Sequence, residues 1–405
     1  MNARLSRWAS EPFRLFFPLG ILAAIAGVMM WPLLYAGKLG FYPAEAHSRV
    51  MIEGFMGAFV LGFLGTAFPR LTGNATWSFG ELAGMILLWA ACVASALSGH
   101  VVAADLAFAT MLVLLFASMM GRWVSGNRDT PPPGFVLALA GILGGALAAS
   151  ALAWDQGRWM SLAGYQLAKL WLNQGFLLLP LLGIAPYLLP RFFGRESMHS
   201  FDDSPRPPEG WWPRLVASLI CAALVVAGFA LEAFGQPLPG HLLRAVVILG
   251  WFLLETPVFR RSKLHSTPGN VARLAVIGLV AGSAAAGIWP AGRVGSLHLF
   301  FAAGLGLAVL AVATRVVLGH AGRHDMLTGS ILWLRIAAAL LVVAAATRMT
   351  SDFIPAARVS HHIYAAWLWA TGGIVWLLAV SRHLGRDEES RRLPKACPRH
   401  AKRDT

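Results

Sequence analysis

Apolar runs of about 20 residues recur from one end of this chain to the other, and that feature alone decides its fold class. At 1.5 Å of rise per residue, about 20 helical residues cover the roughly 30 Å hydrocarbon core of a bilayer. Lipid offers the backbone no hydrogen-bonding partner, so only helices or closed barrels can span it. A barrel needs alternating strands of about ten residues, and no such alternation is present. Composition agrees: 57% hydrophobic and 13% charged residues exclude both a soluble globular domain and a disordered chain.

Hydropathy and loop breakers predict an all-α polytopic bundle of twelve transmembrane helices, at 15–36, 48–68, 80–99, 101–121, 134–153, 162–189, 213–234, 241–259, 271–289, 294–319, 328–348 and 357–382. The proline-rich stretches 127–133, 202–208 and 266–270 cannot continue a helix and read as turns. Near the N-terminus the apolar run continues to Ala36 without a small-residue cleavage pattern, so it reads as a retained first span. Residues 1–385 form one twelve-span domain, and 386–405 a basic cytoplasmic tail.

The net charge of +14 would suggest nucleic acid if it were gathered on one soluble face, but it lies in loops and in the tail. With the N-terminus in the cytoplasm, 25 of the 33 Lys and Arg residues fall on the inner side. Only Lys38, Arg49, Arg158, Lys169, Arg244, Arg293, Arg348 and Arg358 fall outside. That asymmetry predicts both termini inside, makes the lipid bilayer the partner and leaves no role for nucleic acid. Cys92, Cys221 and Cys397 lie in separate segments, so neither a disulfide framework nor a thiolate metal site follows.

This topology sorts the twelve histidines by depth. His199, His265, His383 and His400 fall in polar or basic inner loops and read as solvated; His100 and His241 read as interfacial. His47 begins span 2, His298 begins span 10, and His361 with His362 begins span 12, all near the outer face. Either each hydrogen-bonds at the interface, or imidazoles at one depth on different helices converge on a metal or haem iron. Met51, one turn beyond His47, shares its face, as packing or as a thioether near haem or copper. His320 ends span 10, 22 residues after His298, and about 33 Å of helix keeps the two from sharing one metal. With Arg315, Arg323 and His324 it makes a basic inner segment, either snorkelling at the interface or binding an anion, haem propionates or a second metal.

Charged groups within spans must approach an interface, pair, or line a polar path. Those that matter are Glu53, Lys169 beside Asn173 and Gln174, Glu232, and Glu255 in span 8; Glu53 reads as a proton-path group rather than a ligand. Glycines 54, 57, 62, 65, 304 and 306 permit close approach of a neighbouring helix or a flat cofactor.

Three blocks then stand out: EPFRLFFPLG (11–20), GFLGTAFPRLTG (62–73) and ATRVVLGHAGR (313–323), with His47 before the second and His298 before the third. On these the chain resembles the NnrS family, along essentially its whole length. The resemblance implies a multi-pass protein of the bacterial inner membrane that binds b-type haem and copper and protects against nitrosative stress, with nitric oxide as its small diatomic ligand. It marks His47, Pro69, His298, Arg315, Gly319, His320, Gly322 and Arg323. A second, weaker resemblance is to haem-copper oxidase catalytic subunits, whose low-spin haem is held by histidines on spans 2 and 10. Spans 6 and 7 here lack the oxidase copper histidines, offering only Asn173 and Gln174, so oxidase-type reduction is not expected. Neither resemblance names an electron donor or a catalytic residue. The expectation is one haem between His47 and His298, His361 or His362 as a reserve or copper ligand, and a separate inner site of Arg315, His320 and Arg323. A secondary transporter or export permease without haem is the competing reading, which twelve spans with buried Glu53, Lys169 and Glu255 would also allow.

Overall fold

The structure, a computed structural model, describes residues 3–125, 129–155, 158–202, 204–256, 258–262 and 264–385. The tail at 386–405, with His400, lies outside the described residues. Among those described, twelve helices are long and apolar enough to cross a membrane. Spans 1 to 4 are Phe13–Tyr35, Ala44–Leu71, Phe79–Leu97 and Val101–Val124; spans 5 to 8 are Phe135–Asp155, Leu162–Phe193, Trp211–Ala233 and Pro237–Leu254. Spans 9 to 12 are Thr267–Ile288, Pro290–His320, Leu332–Phe353 and Pro355–Leu384. Each predicted span is present. Span 8 stops before Glu255, which sequence reading had placed inside it, because Thr256 precedes Pro257 and a residue before proline is pushed out of the helical region.

Spans 2, 6 and 10 bury 78%, 72% and 72% of their apolar windows, against 28–61% for the others, so they form the centre. The chain repeats one plan three times around them. Span 2 packs on spans 1, 3 and 4, span 6 on 5, 7 and 8, and span 10 on 9, 11 and 12. The three quartets join through spans 4 and 5, 8 and 9, and 12 and 1, which closes a ring. A helix enclosed in this way is largely apolar all round, and the polar groups these three do bury, such as Arg49, Glu53 and Gln174, lie inside the bundle.

Each central span also contains a π-helical turn, at Val50–Met56, Trp171–Gly175 and Leu299–Gly306. The glycines beside them serve helix packing: Gly62 lies against Phe13 and Phe17 of span 1, and Gly304 against Leu279 of span 9. Gly322, at φ +64°, turns the chain out of span 10 just after His320, a conformation glycine adopts without a Cβ penalty.

Candidate functional site

At the end where spans 2, 10 and 12 begin, the bundle opens into a cavity of about 580 Å³. His47, His298 and His362 line it, with Trp31, Trp369 and Arg348. The π turns explain how the walls are made. Those of spans 2 and 10 follow directly on the segments carrying His47 and His298, and supply Met51, Phe55, Phe301 and Ala302 to the wall. The π turn of span 6 brings in Asn173, whose Oδ1 accepts a hydrogen bond from the Ser48 hydroxyl at 3.2 Å. A π turn adds a residue per turn and re-aims the side chains around it, and such turns concentrate at functional sites. All three point to this cavity.

The hydrogen bonds fix the tautomers of two imidazoles. Nδ1 of His47 lies 2.9 Å from the Gly27 carbonyl, and Nδ1 of His298 lies 2.8 Å from the Val294 carbonyl. A carbonyl oxygen only accepts, so each Nδ1 carries the proton and each Nε2 keeps its lone pair. Metal-ligating histidines are held in this way. His362 Nδ1 is 2.8 Å from the Tyr35 hydroxyl, and its buried Nε2 has no hydrogen-bond partner among the described residues. The Trp31 ring sits between two of them, 6.0 Å from His47 and 5.0 Å from His362 by ring centres. His361 instead meets the Thr350 hydroxyl at 3.0 Å and does not line the cavity. Neighbours on a helix are about 100° apart, so only one of the pair faces inward.

Two cations border this apolar space. Arg348 is held at 2.9 Å by Asp352, which also accepts the Gly295 N–H at 2.6 Å and so ties span 11 to the start of span 10. Arg358 lines the cavity with no hydrogen-bond partner among the described residues. Guanidinium groups beside an apolar cavity suit an amphiphilic ligand carrying carboxylates. Sequence reading counted both only as outer charges; for Arg348 the signal was a cation inside a membrane-length helix. Among the described residues, no three His, Cys, Asp or Glu side chains gather tightly enough to hold a metal ion. Two axial imidazoles on a haem iron need no such cluster.

Arg315, His320 and Arg323 do not come together at the other end. The Arg315 guanidinium stacks on Phe192 at 4.8 Å, and Arg323 pairs with Asp325 at 2.9 Å. Five residues of helix turn about 140°, so Arg315 and His320 occupy different faces. His320 joins the other two sequence blocks instead. Its Nε2 accepts from Arg70, and Arg70 holds Glu11 at 2.6 Å. Arg14 pairs with Glu11 and donates to the Leu384 carbonyl at the end of span 12. The ring of His320 also packs on Phe13 at 4.8 Å. Burial raises the Glu11 carboxyl, but the Arg70 hydrogen bond and the charges beside it outweigh burial and hold it below the ordinary range.

A second polar network lies beside the cavity wall. Arg49 bridges Asp105 at 2.5 Å and Glu53 at 3.3 Å, and Cys92 Sγ reaches Glu53 at 3.3 Å. Arg49, which sequence reading had placed among the outer charges, is 4% exposed as a side chain; Glu53 is 0% and Asp105 3%. Lys169 pairs with Glu45 at 2.7 Å. His199, expected in solvent, is buried and bonded to Glu255 at 3.0 Å, because Arg214 and His199 share that carboxylate. Those hydrogen bonds also hold Glu255 below the ordinary carboxylate range. His383 is buried too, as the last turns of span 12 pack inward, while His265 and His100 are exposed. His241, expected at the interface, is buried between Arg244 at 2.7 Å and Glu232 at 3.4 Å.

A search of curated proteins finds no match to this chain. The profile of the NnrS protein family does match, over residues 7–387, and takes in all twelve spans, the histidine cavity and the Glu11, Arg70 and His320 cluster; the chain belongs to that family.

Proposed function

We propose that this protein is a haem-bearing, multi-pass protein of the bacterial inner membrane that binds or handles nitric oxide and protects against nitrosative stress. The observation carrying this reading is the pair His47 and His298: two imidazoles from different central spans, each with Nδ1 tied to a carbonyl, facing one cavity of about 580 Å³. The residues present fit a haem. His362 offers an orphaned Nε2 at the same cavity, Trp31 and Trp369 supply flat apolar wall, and Arg348 and Arg358 would receive the two propionates. A bound b-type haem would supply an iron with affinity for nitric oxide. The chain's own part is to hold both imidazoles in the Nδ1–H tautomer, orient the carboxylates and keep bulk water out of an apolar pocket.

Copper, which the family resemblance implies, finds no three-ligand cluster among the described residues. Any copper at this end would draw on His362 and Met51, both of which line the cavity. The charges that could argue for a transporter path are paired: Lys169 with Glu45, Glu53 with Arg49, and Glu255 with Arg214. The test is haem and copper content of protein purified from cells supplied with both. One haem per chain supports the reading, and a chain that takes up none refutes it.

A further inference from the structure

Next to the histidine cavity, between spans 2, 6 and 10, lies a second, partly open void of about 90 Å³. Its walls come from span 2 (Phe59, Val60), span 6 (Leu177, Leu181) and span 10 (Leu305, Ala308). Every residue lining it is apolar. Met56, in the π turn of span 2, lines both this void and the histidine cavity, so one flexible thioether side chain stands between them. On another side a void of about 10 Å³ shares Leu181, Ala308 and Val312 with it, and extends to Phe252 of span 8 and Ala275 of span 9. That small void too has only apolar lining. The three spaces therefore form a series from spans 8 and 9, through the centre of the bundle, to the histidines.

Protein interiors rarely keep a void larger than a water molecule, because its lining forfeits packing contacts. Its lining offers water no polar partner. Ions are excluded for the same reason. A volume of about 90 Å³ is several times the roughly 10–15 Å³ that the same measure gives one water, and apolar voids of such order take up xenon. Small neutral molecules that already partition into lipid fit, a diatomic gas among them.

We propose that this void is a binding site for a small neutral diatomic gas, drawn from the bilayer and passed across Met56 into the histidine cavity. The gas site stands on the void alone; the delivery step rests on the haem reading above. Xenon is the probe. Crystals of the full chain under xenon pressure should show xenon between Val60, Leu177 and Ala308, and Ala308→Leu should abolish that peak with an unchanged unfolding temperature. Val309→Phe, filling the same void from another position, serves if the leucine variant does not fold. Ordered water in the void, or no xenon there in the wild type, would overturn the site. For delivery, carbon monoxide rebinding after photolysis of the haem-loaded protein should slow several-fold in Ala308→Leu; an unchanged rate would overturn that step. A chain without haem that still takes xenon sinks the haem reading and the delivery step with it. A haem-loaded chain that takes none sinks the gas site alone.

Discussion

Replacing Arg49 with leucine should destabilise the protein far more than removing either carboxylate it holds. Asp105 and Glu53 lie 2.5 Å and 3.3 Å from its guanidinium, both almost wholly buried, and without it the Asp105 carboxylate would be left in a low-dielectric interior with no counter-charge. Breaking a buried pair from one side costs about 3–5 kcal/mol, because the surviving charge stays desolvated. Asp105→Asn removes a charge but leaves Arg49 facing Glu53 with an amide still in reach, which costs about 1 kcal/mol. Unfolding entropy of about 2.1 cal/mol/K per residue gives about 0.9 kcal/mol/K for a chain of 405 residues, so Arg49→Leu should lower Tm by about 5 °C and Asp105→Asn by about 1 °C. Tryptophan fluorescence of detergent-purified protein during heating reads both. Equal shifts, or a larger one for Asp105→Asn, would refute the claim that a single guanidinium balances this cluster. Because Arg49 precedes the π turn at Val50–Met56, the leucine variant should also loosen the wall next to His47.

Three further outcomes follow from the geometry. Glu11 has its carboxyl lowered in the folded protein, so its stabilising contribution is complete above the ordinary carboxylate pKa of about 4.3 and is lost as pH falls through the folded value; Glu11→Gln should remove that acid sensitivity in a pH series of melting curves. His199→Ala should cost about 1–3 kcal/mol by stranding part of Glu255, measured by thermal unfolding, while leaving any haem absorbance per folded chain unchanged. A cysteine at Ser204 should resist an impermeant thiol reagent added to intact cells, since the asymmetry of basic residues predicts that loop in the cytoplasm; labelling from outside would reverse the topology.

The twelve spans were legible because membrane length and backbone satisfaction leave a hydrophobic chain little choice. The partition of polar residues was less so. His199 follows Met198 in a polar loop, and only the return of Glu255, 56 residues later, takes it out of solvent. Arg49 looks like an interfacial cation until Asp105, on span 4, is brought against it. The π turns were invisible, since a run such as Leu299–Gly306 is apolar whether its hydrogen bonds skip four residues or five. That His47 and His298 would reach one cavity was legible because depth along a helix can be counted. The choice between His361 and His362 turned on helix rotation, which the neighbouring packing of Tyr35 and Thr350 decides. The block containing Arg315, His320 and Arg323 read as one site because its residues are close in sequence; Arg70 and Glu11, far away in sequence, are the partners His320 meets.

The central claim is that His47 and His298 hold one haem in the cavity they share, and the visible absorption spectrum of purified wild-type protein beside His47→Ala and His298→Ala tests it most directly. The account predicts a low-spin, bis-imidazole Soret band in the wild type, lost or converted in each variant and retained in His100→Ala, whose imidazole is exposed. A wild-type haem band that survives unchanged in both variants would contradict it.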